Sequence, residues 1–303
     1  MGVMNSATVS KALWPGVRLF YGQAYKEHKP EYNQCFKIEK SDKQWEEEVS
    51  VTGFGLAPVK GEGSSISYDQ QYQGYISRYT HVTYALGFII TREAYEDNQY
   101  AEMSRRRSQS LAFSMRQTKE TVCANVYNRA FNSDYTGGDG VEMCSALHPN
   151  VSGGTFANEL ALAADLSEAS LEQACIDISN LEDDRGMKIA VMPKKLLIPT
   201  ALQHEAARIL QSTLQNDTAN NALNVLKANR NIPEGFFINH YFTDADAWFL
   251  LTNCPDGTKY FNRRSDDFAQ DNDFDTENAK FKATSRYSAG WTDPRGIFAS
   301  PGA

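Results

Sequence analysis

The five cysteines (Cys35, Cys123, Cys144, Cys175, Cys254) are odd in number, widely spaced and include no Cys-x-x-Cys pair. That arrangement argues against a disulfide scaffold or a zinc site and fits reduced thiols in a cytosolic compartment. Long apolar runs are absent as well: none approaches the roughly 18 residues that a membrane-crossing helix needs. The first six residues, MGVMNS, lack the charged and apolar regions of a secretory signal. Basic residues are in deficit, 30 lysines and arginines against 38 acidic residues, for a net charge of −8. With that balance the chain has no general electrostatic pull on nucleic acid, and tight sequence-independent DNA binding is a poor first reading. No internal repeat and no low-complexity tract interrupts the chain. What remains is 303 residues, 41% apolar and 22% charged, enough for a packed core in one large domain or two.

Residues 1–45 read as an arm. A short helix is predicted from Ser6 through Leu13, and Pro15-Gly16 and Lys29-Pro30 break the chain before it can build a core. The β-favouring segment 46–56 leads into a turn-rich tip, Ala57 to Ser65, and then into an alternating run. Even positions 66–90 are mostly apolar (Ile66, Tyr68, Tyr72, Ile76, Val82, Tyr84, Leu86, Phe88, Ile90) and odd positions mostly polar. At about 3.3 Å per residue such a ribbon reaches roughly 80 Å. A compact globule of this length is only about 50 Å across, so the ribbon must bend, and Gly74 is the expected place. Its outer half mixes tyrosine with glutamine, too polar for the chain's own core and too aromatic for plain solvent. A hairpin lying on a neighbouring subunit meets both conditions. Tyr68, Tyr72, Tyr75 and Ile76 are the expected inter-subunit contacts, although Ile76 also fits local packing within the hairpin.

Residues 93–131 contain no proline or glycine and predict one long helix, with Leu111/Met115, Val122/Val126 and Cys123/Tyr127 lining an apolar stripe. Arg105, Arg106 and Arg107 spread around that helix and read as a solvated stretch. After an irregular excursion, 132–165, Asp165 with Glu168 predicts a cap for a helix at 166–182. Lys188 to Ile198 reads as a buried strand broken by Pro193, and Pro199-Thr200 starts another helix. Strands are expected at 235–243 and 247–252. An acidic loop, 266–277, precedes a final strand with Phe281, Ala283, Ser285 and Tyr287 on one face. The order of elements predicts an α+β fold.

Sites for chemistry are sparse. Asp271, Asp273 and Asp275 have calcium-loop spacing, but Thr276 stands where glycine is needed and Lys282 where a bidentate glutamate is needed. Gly53-Phe-Gly55 and Gly61-Glu-Gly63 lack the third glycine and the following helix of a phosphate cradle. Cys144 and His148, four apart, have no third group to orient them. No catalytic, cofactor-binding or metal residue is assigned. The alternative function is a cytosolic hydrolase using Asp/His groups at 139–150 or the acidic loop.

Several stretches, taken in their joint order, carry a family resemblance. They are YALGFIITREA (84–94), QTKETV (117–122), Leu147-His-Pro149, Pro199-Thr-Ala-Leu202 with Glu205 to Leu210, and GWTDPRG (290–296). The chain resembles the tailed-bacteriophage major capsid proteins, the major head subunits of the Hong Kong 97-type fold, in the branch that includes the Mu-type head subunits. The resemblance implies a non-enzymatic shell subunit without cofactors. Its parts would be an N-terminal arm (1–45), an extended β-hairpin loop (46–85), a peripheral domain (86–165 and 272–303) with a spine helix at 93–131, and an axial domain (166–271). It further implies hexamers and pentamers in an icosahedral head that encloses double-stranded DNA without sequence specificity. Implied partners are a portal, a separate scaffolding protein, since 45 residues before the hairpin leave no room for a built-in one, and in some members a decoration protein. The location is the virion, after assembly in the host cytoplasm, with no membrane contact. Some members join a loop lysine covalently to a neighbour's asparagine. Lys60 is the lysine nearest the tip here, but neither the acceptor nor the assisting glutamate can be matched, so a non-covalent contact is expected.

Overall fold

Two long strands late in the chain, β10 (Thr258–Asn272) and β11 (Ala279–Trp291), pair antiparallel and organise the first half of the molecule. The computed structural model describes residues 21–26, 29–96, 100–215, 222–273 and 277–303. The helix predicted at 6–13 lies outside the described residues. Chain order runs α1 (21–26), α2 (Tyr32–Cys35), β1 (Lys37–Lys40), β2 (Trp45–Val51), β3 (Gln73–Thr80), β4 (Val82–Ile90), α3 (Arg92–Glu96) and α4 (Tyr100–Asn128). The short pair β5 (His148–Pro149) and β6 (Thr155–Phe156) is followed by α5 (Glu168–Ser179), β7 (Pro193–Ile198), α6 (Gln203–Gln211) and α7 (Val225–Ala228). Strands β8 (Phe236–Ile238) and β9 (Trp248–Thr252) precede β10 and β11, and β12 (Ile297–Ser300) closes the chain.

The first four-stranded sheet has the order β1-β10-β11-β4. Its inner face alternates as the sequence predicts for β11, with Phe281, Ala283 and Tyr287 buried. Phe88 stacks on Phe281 and Tyr84 on Tyr287, each with ring centroids 4.8 Å apart. Helix α4 lies across this face, and Leu111 and Met115 bury against Ile90, Phe268 and Phe281. The same helix fixes the N-terminal segments by polar contacts. Glu120 accepts the otherwise unpaired backbone N–H groups of Glu31 and Tyr32, both at 2.9 Å, at the start of α2. Lys119 donates to Asp266 of β10 at 2.7 Å and to the Tyr25 hydroxyl of α1 at 2.8 Å.

The second sheet, β12-β9-β7-β8, separates two cores. Leu196, Ile198, Trp248, Leu250 and Phe298 face α5 and α6, while Leu197, Phe249, Ile297 and Ala299 face Tyr127 and Met143. Burial on both faces explains why these strands are near-continuous apolar runs without alternation.

Several expectations need correction. The helix predicted at 93–131 consists of α3 and α4, the second ending at Asn128 in a turn; residues 97–99 lie outside the described residues. Helix α5 is capped by Ser167, which accepts from the Ser170 amide while the Ser170 hydroxyl accepts from the Ser167 amide, so Asp165 and Glu168 are not the box. The buried strand begins only at Pro193, a position where proline forfeits no ladder bond. The segment read as an acidic loop, 266–277, is strand as far as Asn272, because pairing with β11 holds Asp267 and Asp271 outward and Phe268 inward.

The ribbon read at 66–90 is strand only from Gln73 onward, as two strands in two sheets, and 66–72 has no strand structure. The break falls at His81, not at Gly74, and the buried face changes there. Tyr79 and Ser77 are buried on β3, whereas Tyr84, Phe88 and Ile90 turn inward on β4. Gly74 instead allows a close approach, since a Cβ there would lie 2.3 Å from the Ser50 hydroxyl.

Gly87 is a second such point, where a Cβ would sit 2.5 Å from the Phe281 carbonyl oxygen. Gly87→Ala should therefore force β4 away from β11 and cost about 1–3 kcal/mol, seen as a lower Tm in thermal unfolding. An unchanged Tm would contradict the close pairing.

Candidate assembly surface

Strands β2 and β3 form a two-stranded stem with Trp45 opposite Thr80, Glu47 opposite Arg78 and Val49 opposite Ile76. Arg78 lies 4.4 Å from the Trp45 ring centre, which stiffens the stem's open face. The stem is rooted on the outer face of the first sheet. Tyr79 packs edge-on against Phe261 at 4.8 Å, and its hydroxyl shares a hydrogen bond with Thr292 at 2.6 Å. Glu48 is gripped by Lys259 and Thr292, and Lys259, itself buried, also reaches Asp256 at 2.8 Å. Burial alone would lower the Lys259 pKa, but the two carboxylates outweigh it and hold the ammonium above its ordinary value. An ammonium so placed is expensive to leave unpaired, so the root is a fixed point.

His81 completes the root at the break between β3 and β4. The Ser41 hydroxyl donates to Glu46 at 2.8 Å and therefore accepts from His81 Nε2–H at 2.9 Å. His81 Nδ1 then accepts from the Ser288 hydroxyl at 2.9 Å. The neutral ring fits this chain of bonds. Burial, followed by the Arg286 charge, pushes the His81 pKa below its ordinary value against the opposing pull of Glu46.

Beyond the stem, residues 52–72 form a wing without strand structure. Its base is closed by Thr52, whose amide donates to the Tyr72 carbonyl at 3.0 Å and whose hydroxyl accepts from the Tyr72 amide at 2.8 Å. Its tip turns at Gly61–Ser64, where Gly63 has φ +78°, a region that favours glycine. Large apolar side chains along the wing stand in solvent: Leu56 is 85% exposed, Val59 100% and Tyr68 91%. Large apolar side chains left this exposed make the wing the candidate contact surface.

Of the residues expected at inter-subunit contacts, Tyr68, Tyr72 and Ile76 are exposed, Tyr75 is half-buried and Lys60 is exposed near the tip. Sequence reasoning missed Phe54, Leu56, Val59 and Ile66, all exposed on the same wing. For Phe54, Leu56 and Val59 the signal is available, bulky apolar residues set among glycines and a proline with no alternation to take them into a core, while Ile66 stands at the start of the alternating run.

The groups considered for hydrolysis have no working geometry. His148 is fully buried, with Nδ1 2.7 Å from Asp139 and Nε2 3.2 Å from the Asn158 side-chain oxygen. Asn158 in turn donates to the carbonyls of Met143 and Pro294 at 2.8 and 3.0 Å. Both ring nitrogens are thus occupied in a brace that ties the 139–158 excursion to the turn before β12. Cys144 is buried, and burial raises its pKa well above the ordinary thiol value, away from the thiolate that nucleophilic attack needs. Asp273, from the calcium-like spacing, pairs with Lys280 at 2.5 Å, and Asp275 lies outside the described residues. Among the described residues no group of His, Cys, Asp and Glu could hold a metal ion, and no helix is long and apolar enough to cross a membrane.

Comparison with known proteins places this architecture. The family model of phage capsid proteins matches residues 74–300. No curated protein matches the sequence. Among solved structures, the procapsid of bacteriophage JBD30 is similar at 13% identity and TM-score 0.54, covering 98% of this chain and 76% of that one. A virus-like particle from Pyrococcus furiosus is similar at 10% identity and TM-score 0.52, covering 94% and 97%. The capsid of an empty GTA particle is similar at 10% identity and TM-score 0.50, covering 89% and 88%. At such identities these likenesses concern the fold.

The root carries a pH prediction. Because the folded His81 pKa lies below the unfolded value, near 6.5, the unfolded chain binds the extra proton between the two values. The stability that neutral His81 contributes is complete above about pH 6.5 and is lost as pH falls below it. Urea midpoints of wild type should fall between pH 7.5 and 5.5 more than those of His81→Gln, and equal falls would contradict the assignment.

Proposed function

The chain belongs to the phage capsid protein family, and on that premise we propose that it is the major head subunit of a tailed phage, building an icosahedral shell of hexamers and pentamers around double-stranded DNA. The observation that carries this reading is the wing, whose apolar side chains find no cover among the described residues of their own chain. Its cover is an adjacent copy, with Tyr68, Tyr72, Tyr75 and Ile76, joined by Leu56 and Val59, packing across the boundary and Lys60 making a non-covalent contact near the tip. The working parts are an arm (1–45), an extended loop (46–85), a peripheral domain (86–165 and 272–303) and an axial domain (166–271). The role is mechanical, not enzymatic. A scaffolding protein, a portal and a decoration protein are the partners this role calls for, and assembly takes place in the host cytoplasm. The net charge of −8 supports an inner wall that does not cling to packaged DNA.

The wing gives the test. Fully burying an aliphatic or aromatic side chain contributes about 1.5–3 kcal/mol. Leu56→Ser with Tyr68→Ser should therefore weaken each contact by about 3 kcal/mol or more, over a hundredfold in affinity. Because both side chains are exposed in the free chain, its own Tm should hardly move. Size-exclusion and negative-stain microscopy should show shells or capsomers for the wild type and a loss of shells for the variant. A small closed oligomer for the wild type, or undiminished shells for the variant, would overturn the reading.

A further inference from the structure

Beyond its base, the wing meets its own body through a polar contact. Among the described residues, the hydrogen bonds that reach residues 53–71 from elsewhere in the chain both come from Arg185, to the Asp69 carboxylate and to the Gln70 carbonyl. The two sides of that contact differ in stiffness. Arg185 sits on a tight turn in which the Asp183 side chain accepts from the amides of Arg185 and Met187 at 2.8 and 2.9 Å. Gly186 holds φ +75° there, and the Asp183 amide closes the turn on the Met187 carbonyl at 2.8 Å. The neighbouring Asp184 is held at 3.1 Å by buried Arg295, which also donates to the Glu182 carbonyl at 2.8 Å and lies 4.0 Å from the Phe156 ring centre. Arg185 is therefore presented from a rigid mount.

Asp69 sits on the soft side. Besides Arg185 it accepts the Gly55 amide at 2.7 Å, which ties the two arms of the wing to each other. The Gly55 and Gln70 amides, then Arg185, hold its carboxyl below the usual range. Its side chain is 45% exposed, so water and ions reach the pair and can replace it at small cost. Breaking the Arg185 contact frees the wing from the body while the Gly55 tie keeps the wing itself together.

We propose that the Asp69–Arg185 pair is a catch, holding the wing against its own subunit before assembly and letting go when the wing engages a second copy. This rests on the reading of the wing as the assembly surface. The catch lowers the population of subunits with a free wing and so slows the first contacts between copies.

A double-mutant cycle on the full-length chain tests it, with two readouts: hydrogen exchange of residues 52–72 before assembly, and the lag in light scattering as shells form. Arg185→Ala should raise exchange in the wing and shorten the lag, each by about two- to five-fold, the range expected of a solvent-reached ion pair. Asp69→Asn, which keeps an acceptor for Gly55 and leaves the Arg185 bond to the Gln70 carbonyl, should act in the same direction and no more strongly. The combined variant should change no more than Arg185→Ala alone, and Arg185→Lys should fall between wild type and Arg185→Ala. Wing exchange unchanged in Arg185→Ala, or additive effects in the pair, would overturn the catch even if Leu56→Ser with Tyr68→Ser still blocks shells. Raised exchange with assembly unaffected by all these variants would instead overturn the wing as the assembly surface, and the release step with it.

Discussion

Apolar surface that a chain cannot bury alone is the constraint from which the rest of this molecule follows. From Phe54 to Tyr72 the large side chains have no core to enter, because the chain leaves the stem and returns to it without forming strands that could pack on a sheet. Among the described residues nothing covers that surface, and a partner can dry it. In a chain with a net charge of −8 and well-filled cores, the proposed reading makes such surface an unused contact and not a defect of packing. A family of self-assembling shell subunits supplies the partner in the form of the same chain repeated.

A contact surface on a soft wing is useful only if its base is fixed. The root supplies that with charge and aromatic packing together: Lys259 between Glu48 and Asp256, Tyr79 on Phe261, and His81 between two serine hydroxyls. Each joins the stem to β10, β11 or the turn just after them, the strands that α4 also holds from the opposite face. The rigid body therefore aims the wing, while the wing's irregular backbone lets it conform to what it meets. The buried His148–Asp139–Asn158 brace does comparable work elsewhere, fixing a glycine-rich excursion that has little sheet of its own.

Legibility in the sequence followed the strength of local pattern. Strand β11 and helix α4 were readable because Phe281, Ala283 and Tyr287, or Leu111 and Met115, repeat at the period of their element. Strand β10 was hidden in the sequence, since one residue in its acidic stretch, Phe268, faces the core and its pairing with β11 is a tertiary fact. The change of face at His81 left no mark, because tyrosine and threonine occur on both sides of the run and either face reads as plausible. The cap of α5 was missed for a similar reason: the Ser170 hydroxyl oxygen is the acceptor that a glutamate carboxylate provides in the usual box. The wing is recognisable as an outreach, yet Val59 falls in a segment that reads as turn, Phe54 and Leu56 in one that reads as strand and Ile66 in the alternating run, so none of them is picked out as a contact. The family resemblance, by contrast, rested on motifs spread along the whole chain and did not depend on any one of these elements.

The most direct measurement is a near-atomic cryo-electron microscopy reconstruction of the assembled particle, followed at residues 52–72. The account predicts that Leu56, Val59 and Tyr68 lie buried against an adjacent copy while the stem keeps its root on β10 and β11. Side chains that remain in solvent in the finished particle, or that fold back onto their own subunit, would contradict it.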